Sequence, residues 1–182
     1  AWQDKLLMEL NTPSYDDALY TLDGDGLSLF KSFTDIQTLD DEISNLVEYD
    51  GAVYFAAKGS ELSGKELWKY DPDTGTASLV ADINEGFEDS DLYYLTVLDG
   101  VLYFSANDGT NGTELWKYDP NDGSDGTTSL VGDIRVGTSD SYPDHLTVLD
   151  GILYFRADDG TNGSELWKYD PNDGPDGTTS LV

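Results

Sequence analysis

The chain has 182 residues, 37 of them acidic and 9 basic, for a net charge of −28. That sign excludes nucleic acid and anionic membrane surfaces as partners, since phosphate is held by clustered Lys and Arg. Cysteine is absent, which removes disulfides and thiolate metal sites, and no apolar run approaches the roughly 18 residues needed for membrane insertion.

From its N-terminus the chain opens on a degenerate copy of a unit that it later repeats. Gln3-Asp4-Lys5-Leu6-Leu7-Met8 matches Tyr49-Asp50-Gly51-Ala52-Val53-Tyr54, Ala18–Gly24 lines up with Glu66–Pro72, and Phe33–Ile36 with Val80–Ile83. Tyr20 stands 48 residues before Trp68, the same step that leads on to Trp116, and Trp167 follows 51 residues later. A period of this size marks a blade-like repeat whose units cannot bury both faces alone and must stack.

Each full copy then begins with a hairpin phrase, Leu46–Phe55, Leu95–Phe104 or Leu146–Phe155, in which two apolar runs flank Asp-Gly. Asp-Gly predicts a type I′ turn, because both central residues of that turn need φ > 0. A Gly-rich connection follows, Asn107–Gly112 or Asp158–Gly163, and Glu-Leu-Trp-Lys-Tyr then reads as a third strand. A second turn, such as Asp119-Pro120-Asn121-Asp122-Gly123, leads to a fourth strand, Ser129-Leu130-Val131. Only Tyr15–Tyr20 and Asp40–Leu46 read as a helical turn or two. The expected fold class is therefore all-β, a propeller-like array of four-stranded antiparallel blades. Its units are 1–36 (truncated), 37–83, 84–134 and 135–182. Trp68, Trp116, Trp167 and the Tyr-Phe pairs at 54–55, 103–104 and 154–155 are expected to pack between blades. The last copy stops within its fourth strand, which predicts a segment of a larger propeller or a multi-chain assembly rather than a closed four-bladed ring.

These phrases resemble the ELWxxDGT repeat of large bacterial secreted and surface proteins, which is similar to some hyalin-type repeats. The likeness is carried by Glu-Leu-Trp at 66–68, 114–116 and 165–167, by Gly75-Thr76, Gly126-Thr127 and Gly177-Thr178, and by Asp82-Ile83 and Asp133-Ile134. The family's Asp-Gly-Thr is replaced here by Asp-Pro-Asp-Thr-Gly-Thr or a longer loop. The resemblance implies a β-propeller-like array at an extracellular or cell-surface location, and no settled activity.

The loops Asp119–Asp125 and Asp170–Asp176 place oxygen side chains at alternate positions of a tight Gly-containing turn. Hard oxygen donors of this kind suit Ca²⁺, and the candidate ligands are Asp119, Asn121, Asp125, Asp170, Asn172 and Asp176. The competing reading is a plain turn, where Asn and Asp serve the backbone. Asn111-Gly112-Thr113 and Asn162-Gly163-Ser164 satisfy the N-glycosylation sequon. His145, the sole histidine, has Tyr94 and Asn45 as counterparts and no motif around it; Arg135 and Arg156 are unrepeated. With no nucleophile–base pairing visible, the chain is expected not to be an enzyme. The function expected is an extracellular scaffold or adhesion module that meets other chains or further repeats. The alternative is a lectin-like propeller, with or without calcium, taking glycans on exposed aromatics beside Asp-rich loops.

Overall fold

The computed structural model describes residues 6–11, 17–23, 26–32, 43–59 and 64–182. Its strands form four antiparallel sheets in sequence order. The first contains β1 (Leu6–Asn11), β2 (Asp17–Asp23) and β3 (Gly26–Ser32). The second contains β4 (Ser44–Tyr49), β5 (Ala52–Lys58), β6 (Lys65–Asp71) and β7 (Thr76–Ala81). The third runs β8 (Tyr93–Leu98), β9 (Val101–Asn107), β10 (Thr113–Asp119) and β11 (Thr127–Gly132). The fourth runs β12 (Asp144–Leu149), β13 (Ile152–Asp158), β14 (Ser164–Asp170) and β15 (Thr178–Leu181). The fold is all-β and propeller-like, as the repeat implies. Neither helical turn forms where the structure describes the chain. Asp17–Tyr20 lies in β2 and Ser44–Leu46 in β4, because pairing with a neighbouring strand outweighs a weak local preference.

Each hairpin carries the turn that its Asp-Gly dictates. Asp50 and Gly51 have φ of 50° and 78°, Asp99 and Gly100 50° and 84°, Asp150 and Gly151 52° and 77°. The turn fixes register, so that Phe55 lies opposite Trp68, Phe104 opposite Trp116 and Phe155 opposite Trp167. Alternation then assigns faces. Val53, Phe55, Ala57, Trp68 and Tyr70 form one buried cluster, while Tyr54, Ala56 and Leu67 pack onto Leu102, Phe104, Ala106 and Tyr118 of the next sheet. The same relation joins Leu98, Tyr103 and Leu115 to Leu153, Phe155, Ala157 and Tyr169.

Sheets touch their neighbours through their first strands, β1 to β4, β4 to β8 and β8 to β12. Those strands share an irregularity. Register shifts after Ser44, Tyr93 and Asp144, and the next residue is left-handed each time: Asn45 (φ 56°), Tyr94 (φ 63°) and His145 (φ 55°). Bulges of this kind bend a strand and re-aim a side chain. Here they point three unlike residues toward the line where the blades meet.

Candidate functional site

The Glu of Glu-Leu-Trp joins one blade to the next. Glu114, fully buried, accepts hydrogen bonds from the Ile134 amide (2.9 Å), the Ser141 amide (3.0 Å) and Ser141 Oγ (2.6 Å). Ser141 also donates its amide to the Thr113 carbonyl and accepts from the Asp158 amide, so it ties β10 to β13. Glu66 repeats the device, taking the Ile83 amide at 2.7 Å, and Ser90 bridges Lys65 and Asn107. Burial pushes both carboxyls up to about 7, against the hydrogen bonds that favour their ionised forms. Gly112 leaves room for the loop, since a Cβ there would lie 2.6 Å from the Ser139 carbonyl oxygen.

On the fourth sheet the corresponding face is open. Glu165 is exposed, Leu166 is 50% exposed where Leu67 and Leu115 are at 0%, and Leu149 is 59% exposed where Leu98 is at 3%. A Cβ at Gly163, the counterpart of Gly112, meets nothing within 4 Å.

A second feature lies between the third and fourth sheets. A cleft of about 590 Å³ is lined by residues including Asp91, Tyr93, Tyr94, Tyr142, Asp144 and Arg156. Tyr93 (51%), Tyr94 (43%) and Tyr142 (62%) are exposed there, whereas Tyr54, Tyr70, Tyr103, Tyr118 and Tyr169 are buried in the blades. Asp144 and Arg156 face each other in the β12–β13 register and form a forked pair, with Nε donating to Oδ1 at 2.9 Å and Nη2 donating to Oδ2. Burial alone would raise the Asp144 carboxyl, but its bonds to Arg156 and to His145 Nδ1 (2.8 Å) hold it below the usual range. His145 stacks on Tyr94 with ring centres 6.0 Å apart. The Tyr142 amide donates to the Thr113 carbonyl at 3.2 Å, and the Asp140 carboxylate takes the Thr113 amide at 2.7 Å. Among the described residues, no hydroxyl or thiol is hydrogen-bonded to the His145 ring.

The loops singled out for calcium are self-contained turns. Asp119 Oδ1 accepts the Asn121 amide at 2.8 Å and Asp170 Oδ1 the Asn172 amide at 2.9 Å. The carbonyls of Asp125 and Asp176 accept the hydroxyls of Tyr118 and Tyr169, each at 2.9 Å. Among the described residues, no three His, Cys, Asp or Glu side chains gather in one place. The sequon amides are also engaged, Asn111 Nδ2 with Asp108 and Asn162 Nδ2 with Asp159. Sequence reasoning missed both the Glu clamp and the cleft. The signal for the clamp was strand parity: Glu66 shares the alternation of Trp68 and Tyr70 and recurs in all three full copies. The cleft had no local signal.

Comparison with known proteins then places the architecture. The chain matches the crystal structure of TolB from Acinetobacter baumannii with a TM-score of 0.62 at 15% sequence identity. The two share a fold. The match covers 98% of this chain and 40% of the TolB chain, so this chain spans well under half the length of that relative. No protein-family model matches, and neither does any curated protein.

Proposed function

We propose that this chain is an extracellular interaction module that works by stacking blades, with a further blade of the same repeat as the partner of its fourth sheet. The carrying observation is the contrast between Leu166, half exposed, and Leu67 and Leu115, fully buried under a following blade. Glu165, Leu166 and Leu149 present the chemistry that the two preceding junctions use: a carboxylate for an Ile amide and a Ser, flanked by apolar side chains. The ELWxxDGT-like phrases, repeated almost without change, favour a scaffold or adhesion role over catalysis. The charge of −28 favours a saline or calcium-bearing exterior, where counterions relieve self-repulsion.

The test is a chain extended after Val182 by a second copy of residues 132–182. The added blade should slow hydrogen exchange at Leu149 and Leu166 and raise the melting temperature. Covering two half-exposed leucines is worth on the order of 1 kcal/mol each. Leucines that stay as accessible as in the parent chain would overturn the reading.

A further inference from the structure

The residues that this chain does not repeat converge in space. The sole histidine, His145, and the unrepeated Arg156 lie at the junction of the third and fourth sheets, and Arg135 contacts the Asp140 carbonyl beside them. Corresponding positions are plainer elsewhere: Asp144 and Arg156 replace Tyr93 and Ser105 of the third sheet and Ser44 and Ala56 of the second. Each exposed tyrosine of the described residues lines this one cleft. Four non-glycine residues around it hold left-handed backbones: Asp91 (φ 47°), Tyr94, Tyr142 (φ 49°) and His145.

From this geometry we infer that the cleft between the third and fourth sheets binds an uncharged saccharide. Its volume of about 590 Å³ falls within the roughly 300–1,000 Å³ of small-molecule sites. Tyr142 offers a ring that is open to solvent on a backbone held in place by its amide, which donates to the Thr113 carbonyl at 3.2 Å. Tyr93 supplies a second exposed ring. Arg156 has two of its N–H groups held by Asp144, which orients the remaining donors toward a ligand's oxygens. Asp91 and Asp144 accept, and the hydroxyls of Ser105 and Ser164 do both. Sugar hydroxyls, each a donor and an acceptor, match that mixture. Anionic sugars are disfavoured by the charge of −28, and the Asp144 carboxylate is already neutralised by Arg156, which weakens the case for a cation.

The experiment uses the full chain on an array of uncharged hexose, pentose and N-acetylhexosamine oligosaccharides, with polylysine as the cationic control. A retained sugar is then titrated by saturation-transfer NMR against Tyr93→Ala, Tyr142→Ala and Tyr142→Phe. Each alanine variant should weaken binding about tenfold or more, as for a truncated aromatic anchor, while Tyr142→Phe keeps part of it. Melting curves confirm that the variants fold, and blade stacking by the fourth sheet should be unaffected. Three outcomes overturn the proposal: no uncharged sugar retained, sugar binding indifferent to both alanine variants, or a Tyr-dependent preference for polylysine.

Discussion

Glu114→Ala and Glu165→Ala replace the same residue at the same repeat position, one beneath a following blade and one open to solvent. In the first, the Ile134 amide loses the acceptor that held it at 2.9 Å, and an unsatisfied buried donor costs about 1–3 kcal/mol. Ser141 keeps a second acceptor in the Thr113 carbonyl for both its amide (3.0 Å) and its hydroxyl (3.3 Å), so its loss is smaller. A total of about 2–3 kcal/mol follows for Glu114→Ala in mildly acidic buffer, against a change within about 0.5 kcal/mol for Glu165→Ala. For a chain of 182 residues that is a fall in Tm of roughly 4–10 °C for the first and almost none for the second. The penalty also depends on pH. The Glu114 carboxyl is raised from 4.5 to about 7 on folding, so its proton-linked stability is complete below the lower value and disappears as pH rises through the upper one. Glu114→Ala should therefore cost about 2 kcal/mol less at pH 8 than at pH 5. Circular dichroism melts of both variants at the two pH values test this. Equal penalties at the two positions, or a Glu114→Ala penalty that grows with pH, would refute the clamp.

Other expectations can be checked on the same melts. Gly112→Ala and Gly163→Ala share a left-handed backbone (φ 74° and 78°), so their φ cost cancels in comparison; Gly112→Ala should be the worse because its methyl strikes the Ser139 carbonyl. For the parent chain, stability should peak in mildly acidic buffer. It should fall toward neutral pH as Glu66 and Glu114 ionise, and fall again in strong acid as the lowered carboxyls of Asp108, Asp140 and Asp144 are protonated. Leu115→Ala, in a fully buried position, should cost about 2–5 kcal/mol and Leu166→Ala, half exposed, well under half of that. Asp119→Ala removes the acceptor of the Asn121 amide and should cost on the order of 1 kcal/mol with calcium or with chelator alike; a penalty confined to calcium would place the ion in that loop.

The architecture was legible because its signals are local and copied. Asp-Gly demands two left-handed residues in succession wherever it closes a hairpin, and three copies repeated the demand at Asp50, Asp99 and Asp150. The parity of Phe55 and Trp68 followed from the turn. Glu114 was harder to read, because in a chain with 37 acidic residues one more carboxylate looks like a solvated charge. Its burial depends on a loop some 20 residues downstream, Ile134–Ser141, that no strand pattern announces. The helical turns expected near Tyr15 and Asp40 rested on short polar stretches with no apolar period to set against strand pairing. The cleft was illegible for a different reason. Asp144 and Arg156 meet only through strand register, and Tyr142 reaches their neighbourhood only because the inter-blade loop turns through a left-handed backbone.

That contrast explains where the copies are free to differ. A side chain such as Phe104, fully buried between two sheets, is constrained by Trp116 across the strand and by Leu67 and Tyr54 from the preceding blade, so any change in volume is felt at several contacts. The bulge residue of each first strand has left that packing. Asn45, Tyr94 and His145 instead meet one another: the Asn45 side chain donates to the Leu92 carbonyl and accepts the Tyr94 amide, and the Tyr94 ring stacks on His145. One position, used three times, thus forms a line across three blades in which successive members touch one another. Exchanging a residue on that line alters the surface where blades converge without disturbing a core. A repeat copied almost unchanged can therefore acquire a single distinctive site at a bulge, and the gathering of tyrosines, Asp144 and Arg156 beside His145 is what that freedom has produced here.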